Sequence, residues 1–392
     1  MFVDLYENLF GADEALEAFK LLQGIANVTL LSGRALWDLA QIATAETVRS
    51  VIRTRPTNEV KSALADTDDG TAFLSSLDRY IEAWGTRSNM VEEYGEPSWT
   101  ENPATIIENL KNYLEDDAVD PRVHWVELVA ERESLTEDVR VRLATYPEPV
   151  RQQFEELLIS GQQGQRIQED HNWWIDQRGT HAVRQVVLEI GRRIAAARVI
   201  EDSNDVFYLD GDEIRATMRT LSAGQVSGDH KVVANERRAD MDRWKNVKPP
   251  QALGTDPGPP PENATSRAIR RFFGGPPPAQ DQERPDVLKG IPGSPGKTSG
   301  VARVILHLGD GGRLERGDIL VTATTNPPWT PLFATAGGIV TDTGGPLSHC
   351  AIVAREYGLP AVVGTGTGTD FIKDGQMIEV DGNKGEIRVL QA

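Results

Sequence analysis

One cysteine, Cys350, is all the thiol chemistry that these 392 residues contain. An internal disulfide framework and a cysteine-clustered zinc site are excluded, which suits a reducing compartment, with the cytoplasm as the expected location. Positive charge is also short. Against 59 Asp and Glu stand 41 Lys and Arg, a net charge of −18, and that balance repels phosphate backbones and anionic membrane surfaces. Nucleic acid and membranes are therefore not expected as partners, whereas small molecules or another protein are. No apolar run approaches the roughly 20 residues that span a bilayer. The opening MFVDLYENLFGADEALEAFK carries acids where a secretory signal needs a basic start and an apolar core, so none is expected.

Proline is thin except in one place, where the fifty positions from Lys248 to Lys297 hold twelve of the chain's 23. Runs such as PGPPPENA and GGPPPAQDQERP favour extended backbone, so 248–286 reads as a proline-rich linker. Within it SRAIRRFFGG is able to form one short helix that packs Phe272 and Phe273 onto a neighbour. Before the linker, segments such as EPVRQQFEELLIS and QRIQEDHNWWIDQRGTHAVRQVVLEIGRRIAAARVI place apolar residues three and four apart, predicting a mostly helical domain over 1–247. After it the texture changes. VARVILHL, DILVTA, GGIVTD, PAVVGT, MIEVDG and EIRVLQ are short β-branched runs between glycine turns, predicting an α/β (β/β/α) domain over 287–392. The fold class expected is thus multidomain, helical then α/β. Residues 287–392 carry nine Lys and Arg against ten Asp and Glu, so nearly all the negative charge lies upstream and the small domain is close to neutral.

In TDTGGPLSHCAIVAREYGLP, helical spacing runs from Cys350 to Tyr357, Gly358 supplies a stop, Pro360 blocks continuation and Ser348 is a natural N-cap. His349 then falls in the first turn, where unpaired N–H groups and the positive end of the helix dipole favour an anion, and Gly344 and Gly345 let it approach the backbone. A neutral imidazole is a good nucleophile near pH 7, so His349 is the candidate phosphoryl carrier. An isolated histidine would more often merely pack or cap. The other five, His124, His171, His181, His230 and His307, lack this glycine and helix-start context.

The stretch TGGPLSHCAIVAREYGLPAVVG, with GDILVTATTNPPWTPLFATAGGIVTDTGG before it, resembles the signature of the phosphohistidine swivelling (mobile) domain of phosphoenolpyruvate-utilising enzymes, a likeness extending from about Gly293 to Leu390. The resemblance implies that His349 carries the phosphoryl group, with Thr343, Gly344, Gly345 and Ser348 as phosphate-binding surroundings. Arg355 matches the family's A-R-E triplet, but a packing role suits it better than phosphate binding, since it lies six residues beyond His349. Family members that use phosphoenolpyruvate carry a barrel after this domain. The sequence ends at Ala392, so the phosphoenolpyruvate site is expected to be absent. The front 247 residues lack the texture of an ATP-grasp region and any G-x-x-x-x-G-K-S loop, so ATP and Mg²⁺ are expected on a separate ATP-grasp partner subunit.

The order of helical part, linker and histidine domain resembles the rear of the rifampin phosphotransferases and the histidine-bearing subunit of phenylphosphate synthases, with a looser match ending in DVFYL at Asp205–Leu209. In those families the helical part is associated with the acceptor. On the helix of that looser match His171, Trp174, Ile175 and Arg178 fall at steps of three and four and share one face, a candidate site for an aromatic alcohol, with His171 or Asp176 as base and Arg178 to neutralise the phosphoryl. An ordinary buried helix is an equally good account of that face. The expected function is a dikinase-type phosphotransferase: His349 takes a phosphoryl group from ATP on the partner, giving AMP and phosphate, and passes it to a small hydroxyl acceptor such as a phenol. Two alternatives stand beside it, a phosphoenolpyruvate- or pyruvate-linked transfer with a further subunit, and a non-catalytic phosphocarrier or regulatory module.

Overall fold

A computed structural model of the chain describes residues 1–11, 15–91, 93–115, 118–226, 228–245, 247, 254–255, 258, 261–280 and 283–390. Much of the expected linker, at 248–253, 256–257, 259–260 and 281–282, lies outside the described residues. Upstream of it the apolar spacing of three and four folds, among the described residues, into twelve α-helices. The first seven are α1 (Phe2–Phe10), α2 (Ala15–Lys20), α3 (Val28–Ile42), α4 (Glu46–Thr54), α5 (Thr57–Ala65), α6 (Asp68–Trp84) and α7 (Ala104–Tyr113). Then come α8 (Pro121–Leu143), α9 (Glu148–His171), α10 (Arg178–Ala196), α11 (Gly211–Ser222) and α12 (Lys231–Lys245).

Local chemistry starts several of them. Asn27 accepts a hydrogen bond from the Leu30 N–H at 3.0 Å ahead of α3, Thr67 caps α6 before Asp68 and Asp69, and Asp120 with Pro121 opens α8. Helices α3 to α7 bury Leu36, Ile52, Leu64, Leu77 and Ile106 against one another, and α1, α2, α8 and α9 close a second core around Tyr6, Leu21 and Phe154. The buried positions of α9 are Phe154, Leu158, Gln165 and Glu169, at steps of four, seven and four on one face. That inward stripe ends on a carboxylate. After it a π-helical turn, Asn172–Gln177, joins α9 to α10.

A short helix, α13 (Ala264–Phe273), follows, capped reciprocally by Asn263 and Ser266. The β-branched runs then form β1 (Val287–Lys289), β2 (Ile291–Ser294), β3 (Lys297–Val304), β4 (Ile319–Thr322), β5 (Gly338–Thr341), β6 (Ala361–Val363), β7 (Met377–Asp381) and β8 (Glu386–Val389). Helix α14 (Thr330–Phe333) lies between β4 and β5, α15 (His349–Glu356) between β5 and β6, and α16 (Gly368–Phe371) between β6 and β7. The eight strands make one sheet in the order β1-β8-β7-β3-β4-β5-β6-β2, parallel from β3 to β6 and antiparallel elsewhere. All residues of β4 and β5 are buried, as central parallel strands covered on both faces require. The chain is therefore a helical part followed by an α/β domain, the class its sequence predicts.

The two parts pack directly. The Gly24 N–H donates to Glu356 Oε1 at 2.8 Å, the Gln168 side-chain amide donates to the Leu347 carbonyl at 2.6 Å, and the Arg355 guanidinium lies 5.2 Å above the Phe19 ring. Gly358 is needed here, since its φ is +65° and a Cβ would stand 2.4 Å from His124 Nε2. Burial pushes the Glu356 carboxyl up to about 7, only partly offset by the N–H groups of Gly24 and Ile25 and the guanidinium groups of Arg355 and Arg132. A carboxyl raised from 4.5 in the folded chain adds stability that is full below about 4.5 and lost as the pH rises through about 7. At roughly 1.4 kcal/mol per pH unit the whole span is about 3 kcal/mol. Glu356→Gln, which cannot ionise, should therefore match wild type near pH 4.5 and exceed it by up to about 3 kcal/mol at pH 8 in denaturant titrations. Parallel stability profiles for the two proteins would contradict this assignment.

Candidate active site

At the carboxyl ends of β4 and β5, where ligands of parallel sheets gather, four segments converge on a cavity of about 480 Å³. The end of α9 brings Glu169 and His171, with Asn172 beyond it, and the end of α13 brings Phe272 and Phe273. The loop after β4 brings Thr325 and Asn326, and the turn from β5 into α15 brings Thr343, Gly344, Ser348 and His349.

His349 is the first residue of α15, and the Ser348 hydroxyl that caps the helix accepts from the Ala351 N–H at 3.4 Å. The imidazole is held on two sides. Nδ1 lies 3.1 and 3.2 Å from the two Glu169 carboxylate oxygens, while Nε2 faces Thr330 Oγ1 at 3.5 Å and the Phe333 ring meets the imidazole edge-on. Glu169 is 2% exposed and also accepts from the Thr29 hydroxyl at 3.1 Å. Burial alone would raise its carboxyl, but the charge and hydrogen bond of His349, the Thr29 hydroxyl and the Arg87 guanidinium outweigh burial and leave it below the ordinary carboxylate value. Arg87 is itself buried and stacked 4.9 Å from the Trp173 ring. Burial draws its guanidinium down to about 10, so it is still a cation at neutral pH. The neighbouring thiol is inert, because burial pushes Cys350 up to about 12.

The sequence-derived residues divide on their placement. Thr343, Gly344, Ser348 and His349 line the cavity together, and Gly345 adjoins them in the same turn. Gly344 has φ +112°, and its N–H donates to the Phe273 carbonyl at 3.1 Å, while the Gly345 N–H donates to the Phe272 carbonyl at 3.0 Å. Any anion at these two amides must displace α13. Thr343 Oγ1 donates to the Ala323 carbonyl at 3.1 Å. On the helical side, His171 reaches the cavity, but its Nδ1 lies 3.2 Å from the Ile167 carbonyl and its Nε2 lies 3.5 Å from Asp176. Trp174 is 58% exposed, carries the Arg178 guanidinium 5.1 Å above its ring, and neither residue nor Asp176 lines the cavity. Through the π-helical turn Trp173 and Gln177 are buried while His171, Trp174, Ile175 and Arg178 are all exposed, so the expected face meets solvent and only His171 of it reaches the cavity.

Arg355 is structural, its guanidinium donating to the Gly293 carbonyl at 2.6 Å and the Pro346 carbonyl at 2.8 Å, which ties β2 to the turn before α15. The residues that motif reading misses are Glu169, Thr330, Phe272 and Phe273. For Glu169 the available signal is its place on the inward stripe of α9; its partner lies 180 positions away. Among the described residues no group of three or more His, Cys, Asp or Glu is arranged to hold a metal, and no helix is long and apolar enough to cross a membrane.

Residues 314–385 match the family model of the PEP-utilising enzyme mobile domain, and residues 1–165 match that of the rifampicin phosphotransferase fourth domain. Over 99% of its length the chain is 39% identical to part of the chondramide synthase cmdD of Chondromyces crocatus, spanning 10% of that protein. It is 29% identical over 98% of its length to an uncharacterised phosphotransferase, YvkC, of Bacillus subtilis, spanning 45% of it. To the rifampicin phosphotransferase of Bacillus cereus it is 30% identical over 93% of its length, spanning 40% of that relative. The chain thus covers less than half the length of each of these relatives. The chain carries a match to the mobile domain of PEP-utilising enzymes within its α/β domain and, over residues 1–165 of its helical part, to the fourth domain of rifampicin phosphotransferases.

Proposed function

We propose that this chain is the histidine-bearing part of an ATP-dependent, dikinase-type phosphotransferase, with His349 as the phosphoryl carrier and the cavity between α9, α13 and α15 as the acceptor site. The observation that carries this reading is the contact of His349 Nδ1 with buried Glu169 in the wall of the cavity, which leaves Nε2 clear of any carboxylate, with Thr330 Oγ1 3.5 Å away. An Nδ1–H donated to the carboxylate fixes the tautomer in which Nε2 bears the lone pair. Nε2 is then the nitrogen that takes and gives the phosphoryl group. Residues 1–247, 248–286 and 287–392 serve as acceptor domain, linker and swivelling carrier, so that one histidine visits two sites.

The donor half is assigned to a separate ATP-grasp subunit, where ATP becomes AMP and phosphate and Mg²⁺ supplies neutralisation of phosphate charge. In the acceptor half, the hydroxyl oxygen of a small aromatic alcohol or phenol forms an O–P bond as the Nε2–P bond breaks. The electron pair returns to Nε2, Glu169 keeps hold of the Nδ1–H on the opposite edge of the ring, and the hydroxyl proton passes to His171 on the cavity wall and on to solvent. The Ser348 hydroxyl, the Thr343 side chain and the amides of Gly344 and Gly345 are assigned to the phosphoryl oxygens at the donor stop, where α13 no longer holds the two amides.

Intact and peptide mass after incubation with Mg²⁺ and ATP, with and without an ATP-grasp protein, tests the donor half. The expected result is one acid-labile phosphoryl group, dependent on that protein, on the peptide that carries His349. A partner that hydrolyses ATP while leaving this peptide bare would sink the reading.

A further inference from the structure

Helix α13 does more than bridge the two parts. Its side chains hold the helical part: Arg267 Nε and Arg271 Nη1 each donate to Asp4 at 2.9 Å, and Arg271 Nη2 donates to Glu7 at 2.9 Å. Its last carbonyls hold the α/β domain, accepting from the N–H groups of Gly344, Gly345 and Leu347 at 3.1, 3.0 and 2.7 Å. The fit leaves no slack, since a Cβ on Gly345 would stand 2.4 Å from the Arg271 carbonyl oxygen. Between these anchorages Phe272 and Phe273 come to the cavity beside His349, with ring centroids 4.5 Å apart and nearly perpendicular planes.

Two adjacent phenyl groups at the mouth of a cavity are an unusual expense of apolar surface, because Phe273 is 67% exposed and gains little from folding. Their edge-to-face arrangement leaves ring faces and edges free to meet a third aromatic group. The cavity also has polar lining. Asn172 Oδ1 and Asn326 Oδ1 are buried acceptor atoms without a hydrogen-bond partner among the described residues, and both residues line the same cavity. A ligand with an aromatic body and a hydroxyl matches both linings at once.

We propose that α13 is a lid of the acceptor site and that Phe272 and Phe273 are specificity-determining residues that select an aromatic acceptor. This rests on the phosphotransfer reading above and deepens it. Because α13 is tied to α1 and to the turn before His349, the aromatic wall is complete only when the α/β domain is docked. Selection for the acceptor then occurs at the carrier's second stop and leaves loading of the histidine untouched.

The test uses the intact chain and two small product-class probes, phenyl phosphate and methyl phosphate, with dissociation constants measured by saturation-transfer NMR. Wild type should bind phenyl phosphate about 10-fold or more tightly than methyl phosphate. Phe273→Ala and Phe272→Ala should each remove most of that ratio by weakening phenyl phosphate alone, and Phe273→Tyr should restore it. A ratio unchanged in both alanine variants overturns the lid proposal while leaving the phosphotransfer reading intact. Equal weakening of both probes overturns it too, because that result marks α13 as a structural prop. Wild type that binds neither probe removes the acceptor site from this cavity, and both readings fall.

Discussion

His349→Ala and His349→Gln should each leave the peptide that spans the motif unmodified under conditions in which wild type gains one acid-labile phosphoryl group. Loss to background is expected because no second nucleophile occupies the turn: the Cys350 thiol is buried and pushed up to about 12, and the Ser348 hydroxyl is engaged as the helix cap. Two variants are needed for a physical reason. Alanine strips a buried carboxylate of its partner, and breaking a buried pair in this way costs roughly 3–5 kcal/mol, so a failure of His349→Ala alone could be a failure to fold. Glutamine still offers an N–H toward Glu169, with Thr29 and Arg87 unchanged. Normal melting of His349→Gln with no phosphoryl uptake isolates the carrier role. Uptake by this variant would move the carrier to another residue.

That histidine was legible in the sequence because every feature that places it is local. The N-cap Ser348, the stop at Gly358 and the glycine pair ahead of the helix lie within fifteen residues, and α15 runs His349–Glu356 as their spacing predicts. The strands were legible for the same reason, as buried β-branched runs between glycines. Three parts of the site were not. Glu169 reads as one more acid in QEDHNWW, and only packing brings it to a partner 180 residues away. The π-helical turn at Asn172–Gln177 carries no proline or glycine to announce it, and of the face drawn through His171, Trp174 and Arg178 only His171 lines the cavity. In α13 the sequence reveals a helix with two phenylalanines but not what covers what. Its carbonyls meet Gly344 and Gly345 across a contact that neither segment specifies alone.

Glu169→Gln should lower discharge of phosphohistidine to an acceptor by about 10 to 100-fold, the span usual for loss of a carboxylate that fixes a histidine's tautomer. The amide keeps the shape and an oxygen that still accepts from the Nδ1–H, so a purely steric role predicts a much smaller change. Charge is what separates the two accounts: the amide favours the tautomer with a free Nε2 less strongly than the carboxylate does. The pH dependence gives the same answer from another side. A carboxyl held below its ordinary value of 4.5 contributes stability that is present above about 4.5 and lost as the pH falls through the lowered value. Glu169→Gln should accordingly be less stable than wild type at neutral pH, with the difference closing in acid. This sign is opposite to that at Glu356, where the variant gains at high pH. Rapid-quench discharge rates at neutral pH and denaturant titrations carried from pH 8 to well below 4.5 read both effects on one pair of proteins. A variant that discharges at the wild-type rate yet loses stability at neutral pH would reduce Glu169 to a packing partner of the carrier.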